Sequence, residues 1–178
     1  MQAFDSTLWM ERAWARYTRA VRRGAKKPSL EPRWARDVTA IGNLGKLIEW
    51  CEGRGLQVKF ARRPNGGSYE HDEKIIYLSH RAGPETQVAY LLHECGHHLI
   101  GMKEHHERFG MGYPKSADPS ISRTMLHRVA VLEEELEAWH RGWRLAERLG
   151  LFVSRKVFDR IRMTCIKSYV SWTLGRSK

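Results

Sequence analysis

Residues 83–101 read GPETQVAYLLHECGHHLIG, and this stretch decides the fold. Pro84 suits a first helical position, Glu85 suits the positive end of a helix dipole, and Gly101 supplies a stop. Between them Val88, Leu91, Leu92, Cys95, Leu99 and Ile100 give the apolar surface of a buried helix, while Gly96 permits close packing. Inside the helix, His93-Glu94-Cys95-Gly96-His97 spells HExxH. Residues four apart lie one turn apart on one face, so both imidazoles can reach a single ion. Glu94 is displaced by about 100° around the helix, so it can miss the ion and still touch a water beside it. Unpaired buried polar groups are expensive, so a buried helix carrying these three side chains needs partners for them. Zinc is the expected cofactor: it lowers the pKa of a water and polarises a carbonyl, and Glu94 takes the proton. His98 points elsewhere and reads as a surface or hydrogen-bonding histidine.

A catalytic zinc usually takes three protein ligands. Residues 131–139, VLEEELEAW, place four glutamates on one helix. At about 100° per residue, Val131, Leu132, Leu136, Ala138, Trp139, Gly142, Leu145, Ala146 and Leu149 outline a broad apolar face. Glu135 falls near its centre and Glu134 on its edge, whereas Glu133 and Glu137 point away. A carboxylate within an apolar stripe is costly unless it meets a cation, which makes Glu135 the expected third ligand and Glu134 the fallback. A histidine from the following segment, His105 or His106, is the competitor. The extended pattern HExxHxxGxxH fails, because Ile100 and Lys103 stand where its Gly and His would be.

Outward from these helices, the chain divides into a basic arm (residues 1–30), a core (31–150) and a terminal helix (151–178). In the arm, Trp9, Trp14, Tyr17 and Val21 alternate with arginines at helical spacing, and the proline-bearing AKKPSLEP (25–32) reads as a linker. A second helix is expected over Arg33–Glu52. Strands are expected over Leu56–Ala61 and Lys74–Leu78, with a short third near Ser68–His71 and a hairpin signal at Asn65-Gly66. Met102–Asp118, rich in Gly, His and Pro, reads as a loop, from which Tyr113 or a histidine is a candidate oxyanion stabiliser. Further helices are expected over Ser120–Leu149 and, capped by Ser154, to about Leu174. The result is an α+β class, mostly helical, with a small antiparallel sheet beside the HExxH helix.

The net charge of +11, from 31 Lys+Arg against 20 Asp+Glu, favours an acidic or polyanionic partner, and nucleic acid could meet the basic N-terminal helix. No apolar run approaches a membrane span, and Asp5 and Glu11 come too early for a signal peptide, so the expectation is a soluble, cytoplasmic protein. Cys51, Cys95 and Cys165 are odd in number and far apart, and read as reduced core thiols.

Over roughly Leu44–Leu149 the order hairpin, HExxH helix, loop, glutamate-bearing helix resembles the ImmA/IrrE-type metallopeptidases, small bacterial and phage-associated proteins with a gluzincin-like core. Leu91-Leu-His-Glu-Cys-Gly-His97 is similar to that family's motif helix, which implies ligands at His93 and His97 and a base at Glu94. Glu135-Leu-Glu-Ala138 resembles its Glu-x-x-Ala helix, which implies a third ligand at Glu135; Trp139 departs from the family's usual Asn. The resemblance implies a zinc endopeptidase acting on a cytosolic DNA-binding regulator, often a repressor. A fainter likeness to SprT-type proteases lies in His106-Glu-Arg-Phe109. The contrasting expectation is a DNA- or protein-binding protein that keeps its zinc for structure and cleaves nothing.

Overall fold

The computed structural model describes residues 33–62, 66–109 and 124–175. The basic N-terminal helix and Tyr113 lie outside the described residues, as does the side chain of His106. In chain order the elements are α1 (Arg33–Glu52), β1 (Gln57–Ala61), β2 (Gly67–Glu70), β3 (Ile75–Ser79), α2 (Pro84–Phe109), α3 (Met125–Arg148) and α4 (Arg155–Thr173). This is a mostly helical α+β fold, and none of the described helices is long and apolar enough to cross a membrane.

The sheet corrects the antiparallel expectation. Its order is β1-β3-β2, with β1 parallel to β3 and β2 antiparallel to it. The reason lies in β3, whose Ile75, Ile76, Leu78 and Ser79 are all buried, so this strand takes the centre. The strand β1 exposes Gln57, Lys59 and Phe60 and fits an edge. The hairpin therefore joins β2 to β3 through residues 71–74, where Lys74 adopts φ 55. The Asn-Gly signal marks the connection from β1 to β2 instead, two strands that do not pair. Asn65 itself is outside the described residues. Gly66 (φ 74) sits against Tyr90, whose ring a Cβ would enter at 2.1 Å, so only glycine lets this connection pass.

Helix α2 lies at the centre, packed on α1, α3, α4, β2 and β3. The core joins Leu47 and Cys51 of α1, Ile76 and Leu78 of β3, Leu91, Leu92 and Cys95 of α2, Trp139 of α3 and Phe158 of α4. The Cys51 and Cys95 thiols are free and in contact at 3.5 Å. At the start of α3, the Thr124 hydroxyl accepts from the His127 N–H at 3.1 Å; Ser154 does the same for α4, from Val157. Contrary to the loop expectation, residues 102–109 are helical. Gly101 (φ 70, ψ 158) kinks α2, and the helix then resumes with His105 and Phe109 buried one turn apart. Leu136, expected on the apolar face of α3, is 39% exposed.

Candidate metal centre

The site begins with a close crossing of α2 and α3. A Cβ built on Gly96 would stand 1.9 Å from the Ala138 carbonyl oxygen, and one on Gly142 would stand 2.3 Å from that of Leu92. Each helix thus contributes a glycine where the other's backbone touches it, one turn apart, and the helices run antiparallel. Only at this separation does a side chain as short as Glu135 reach across to the imidazoles of α2.

His93, His97 and Glu135 are brought together, with one potential ligand atom from each lying within 4.8 Å of the others. Glu135 Oε2 is 3.2 Å from His93 Nε2, and its Oε1 is 3.5 Å from His97 Nε2. These contacts leave polar capacity unspent: Glu135 Oε2 is buried without a hydrogen-bond partner among the described residues. Two imidazoles and a carboxylate converging in the interior, with an orphaned oxygen, fit a divalent cation. The group could hold a metal ion.

Supporting contacts differ for the two histidines. The His93 ring lies flat on Trp139, with centroids 4.3 Å apart and planes 19° off parallel. His97 Nδ1 instead faces Glu134 Oε1 at 3.6 Å, and the same oxygen meets His105 Nδ1 at 2.9 Å. Glu134 and His105 thus sit behind the donor set, where a carboxylate orients a ligand imidazole. Glu135 therefore joins the two histidines, Glu134 lies against His97, and His105 pairs with Glu134. His98 turns away, with Nδ1 at 3.1 Å from the Tyr69 hydroxyl. The Glu134–His105 pair and the Trp139 stack were not foreseen. The one-turn spacing of His105 and Phe109, and of Glu135 and Trp139, carried the only signal for them.

Glu94 is buried beside the donors without being one of them. Burial pushes its carboxyl up, with His93 and His97 working against that and Glu135 adding to it. The strand β2 passes close by: a Cβ on Gly67 would lie 3.0 Å from Glu94 Oε1. Burial disfavours the Glu135 charge, but the His93 and His97 imidazoles hold its carboxyl well below the ordinary range. Burial pulls His97 down, yet the Glu134 and Glu135 carboxylates push it up to about 10.

Two expected results follow from this geometry. Glu135→Ala lowers metal affinity more than a hundredfold, whereas Glu134→Ala lowers it about ten- to a hundredfold, since it only orients a ligand. Competition against a chelating dye measures both, and the opposite order would reject the assignment of the two glutamates. The second result concerns protons. With a pKa raised to about 10 against an ordinary 6.5, His97 carries a proton near neutral pH that a metal must displace. Metal uptake at pH 7–9 should release about one proton, and affinity should fall as pH falls from about 10. Before metal is bound, the sign for folding is opposite: this proton's stabilisation is full below about 6.5 and lost as pH rises through about 10. Calorimetry of metal binding in buffers of different ionisation enthalpy counts the proton, and zero release would contradict the charge assignment of the cluster.

Set against family models, curated proteins and solved structures, the chain matches none.

Proposed function

We propose that the protein is a zinc-dependent endopeptidase that hydrolyses a peptide bond in a specific cytosolic protein. The observation that carries this reading is Glu94, a carboxylate buried next to the three donors yet outside their set. A structural metal site has no use for such a group, and burying it carries a desolvation penalty. Two histidines and a glutamate form one of the donor sets that catalytic zinc uses, with a position left for water or substrate. Zinc held there supplies Lewis acidity, lowering the pKa of a water and polarising the scissile carbonyl.

The chain's own residues do the rest. Glu134 fixes the orientation of His97, and Trp139 that of His93. Glu94 takes a proton from the attacking water and delivers it to the leaving amine. The outer edge of β2 offers a place for the substrate, because β2 pairs only with β3 and carries no second strand among the described residues. An extended peptide added to that edge runs past Glu94. The resemblance to ImmA/IrrE-type enzymes supports a DNA-binding regulator as the substrate, and the +11 charge suits an encounter near nucleic acid.

The competing reading, a binding protein with a structural zinc, draws on the same charge but leaves Glu94 without a task. Cleavage of a candidate DNA-binding protein separates the two. The proposal requires activity in the purified protein, loss on chelation and recovery on adding zinc. Chelated protein that cuts as fast as the untreated sample would refute it.

A further inference from the structure

A cavity of about 460 Å³ opens between α3 and α4, and its lining contains none of the metal donors. Its volume lies in the range of small-molecule sites, roughly 300–1,000 Å³. The half-buried Trp143 supplies a planar wall, and the fully buried Phe158, tilted by 59° at 5.1 Å from it, and Trp139 close the floor. Three guanidinium groups surround this aromatic lining, those of Arg144, Arg155 and Arg162.

Two of these arginines pair with Asp159, and the third is uncommitted. Arg144 makes no hydrogen bond or ion pair among the described residues. Arg162 Nε is buried without a hydrogen-bond partner, its distance to Asp159 Oδ1 being 3.5 Å. Arg155 commits Nε to Asp159 at 2.8 Å, and its guanidinium lies over Trp143 at 4.4 Å from the ring centroid. Glu147, the one carboxylate in the lining, accepts from the Trp143 indole N–H at 2.6 Å. Three guanidiniums thus stand against two carboxylates, of which Asp159 Oδ1 is itself buried without a hydrogen-bond partner beside Arg162, and the donors of Arg144 are left for an oxyanion.

We propose that this cavity binds an organic phosphate with a planar body, of the size and chemistry of a mononucleotide. Guanidinium forks match phosphate oxygens, and aromatic or guanidinium planes stack on a base. A bare phosphate would leave the aromatic walls unused, and an apolar ligand would leave the arginines unpaired.

The test is calorimetry of the full chain with adenosine monophosphate, alongside adenosine, inorganic phosphate and a single-stranded adenine hexanucleotide. The nucleotide should bind at least tenfold more tightly than adenosine or phosphate. Arg144→Glu, which loses no hydrogen bond or ion pair among the described residues, should weaken that binding at least tenfold. Loss on Arg162→Ala in protein whose thermal transition is unchanged would place the phosphate between the two arginines. Tighter binding of the hexanucleotide than of the free nucleotide would assign the site to a nucleic-acid strand, and the reverse would assign it to a free effector. No binding up to about 5 mM, or equal binding of adenosine and its phosphate, would overturn the proposal. So would an unchanged affinity in Arg144→Glu.

Discussion

Glu94→Gln should leave the protein folded and metal-loaded while reducing hydrolysis by about a thousandfold, the scale of a lost general base. The substitution keeps the shape and removes only the group that accepts the proton. Burial already pushes the Glu94 carboxyl up, so its ionised form is disfavoured by the surrounding protein. In the metal-free protein, trading it for a neutral amide therefore leaves thermal stability equal or higher near neutral pH, which separates a catalytic loss from an unfolding one. The Glu94 carboxylate also gives the pH profile an acid limb. Activity needs the ionised carboxylate, so it is present above the Glu94 pKa and lost as pH falls through it. Rate, metal content and melting temperature, measured together on wild type and variant, decide the matter. Equal cleavage by both would mean a contaminating protease and end the proposal. Co-purification of one protein with Glu94→Gln but not with wild type would identify the substrate.

The second large effect concerns the helix crossing. Gly96→Ala should cost about 3 kcal/mol or more and lower the melting temperature by roughly 10 °C. The added methyl would stand 1.9 Å from the Ala138 oxygen and 2.7 Å from its carbonyl carbon, both backbone atoms that no rotamer change can move. Relief requires α2 and α3 to part, and parting them withdraws Glu135 from His93 and His97. Metal affinity should therefore fall together with stability, although no ligand has been touched. Gly142→Ala, which meets Leu92 from the other side at 2.3 Å, should behave alike. Calorimetric melting with and without metal reads both quantities. A Gly96→Ala protein with wild-type melting and full metal affinity would show that the close approach is dispensable.

Much of this was legible in the sequence, and the reasons are specific. HExxH fixes its own geometry, because helical spacing alone puts His93 and His97 on one face. Glu135 could be picked from four glutamates because a carboxylate in an apolar stripe needs a cation. The strand pairing was not legible. Sequence reveals which segments are extended, but the central place of β3 depends on burial of both its faces, and the Asn-Gly pair suggested a different neighbour. Residues 102–109 were misread because Gly101 looked like an end, while a glycine at φ 70 can also turn a helix and let it continue. Their role behind His97 therefore stayed hidden, since Glu134 meets His105 only after that turn.

The flat stack of Trp139 on His93 also has an optical consequence. An indole sealed from water emits at the blue edge of the tryptophan range, and Trp139 has no exposed surface. Its excited state lies face to face, at 4.3 Å, with a ring that would be bonded to the ion. Zinc has a filled d shell and offers no low-lying state to drain that energy. Cobalt or copper, with partly filled shells, would quench it. Among the seven tryptophans, the blue-edge component from Trp139 would thus distinguish a closed-shell ion on His93 from an open-shell one without any added label.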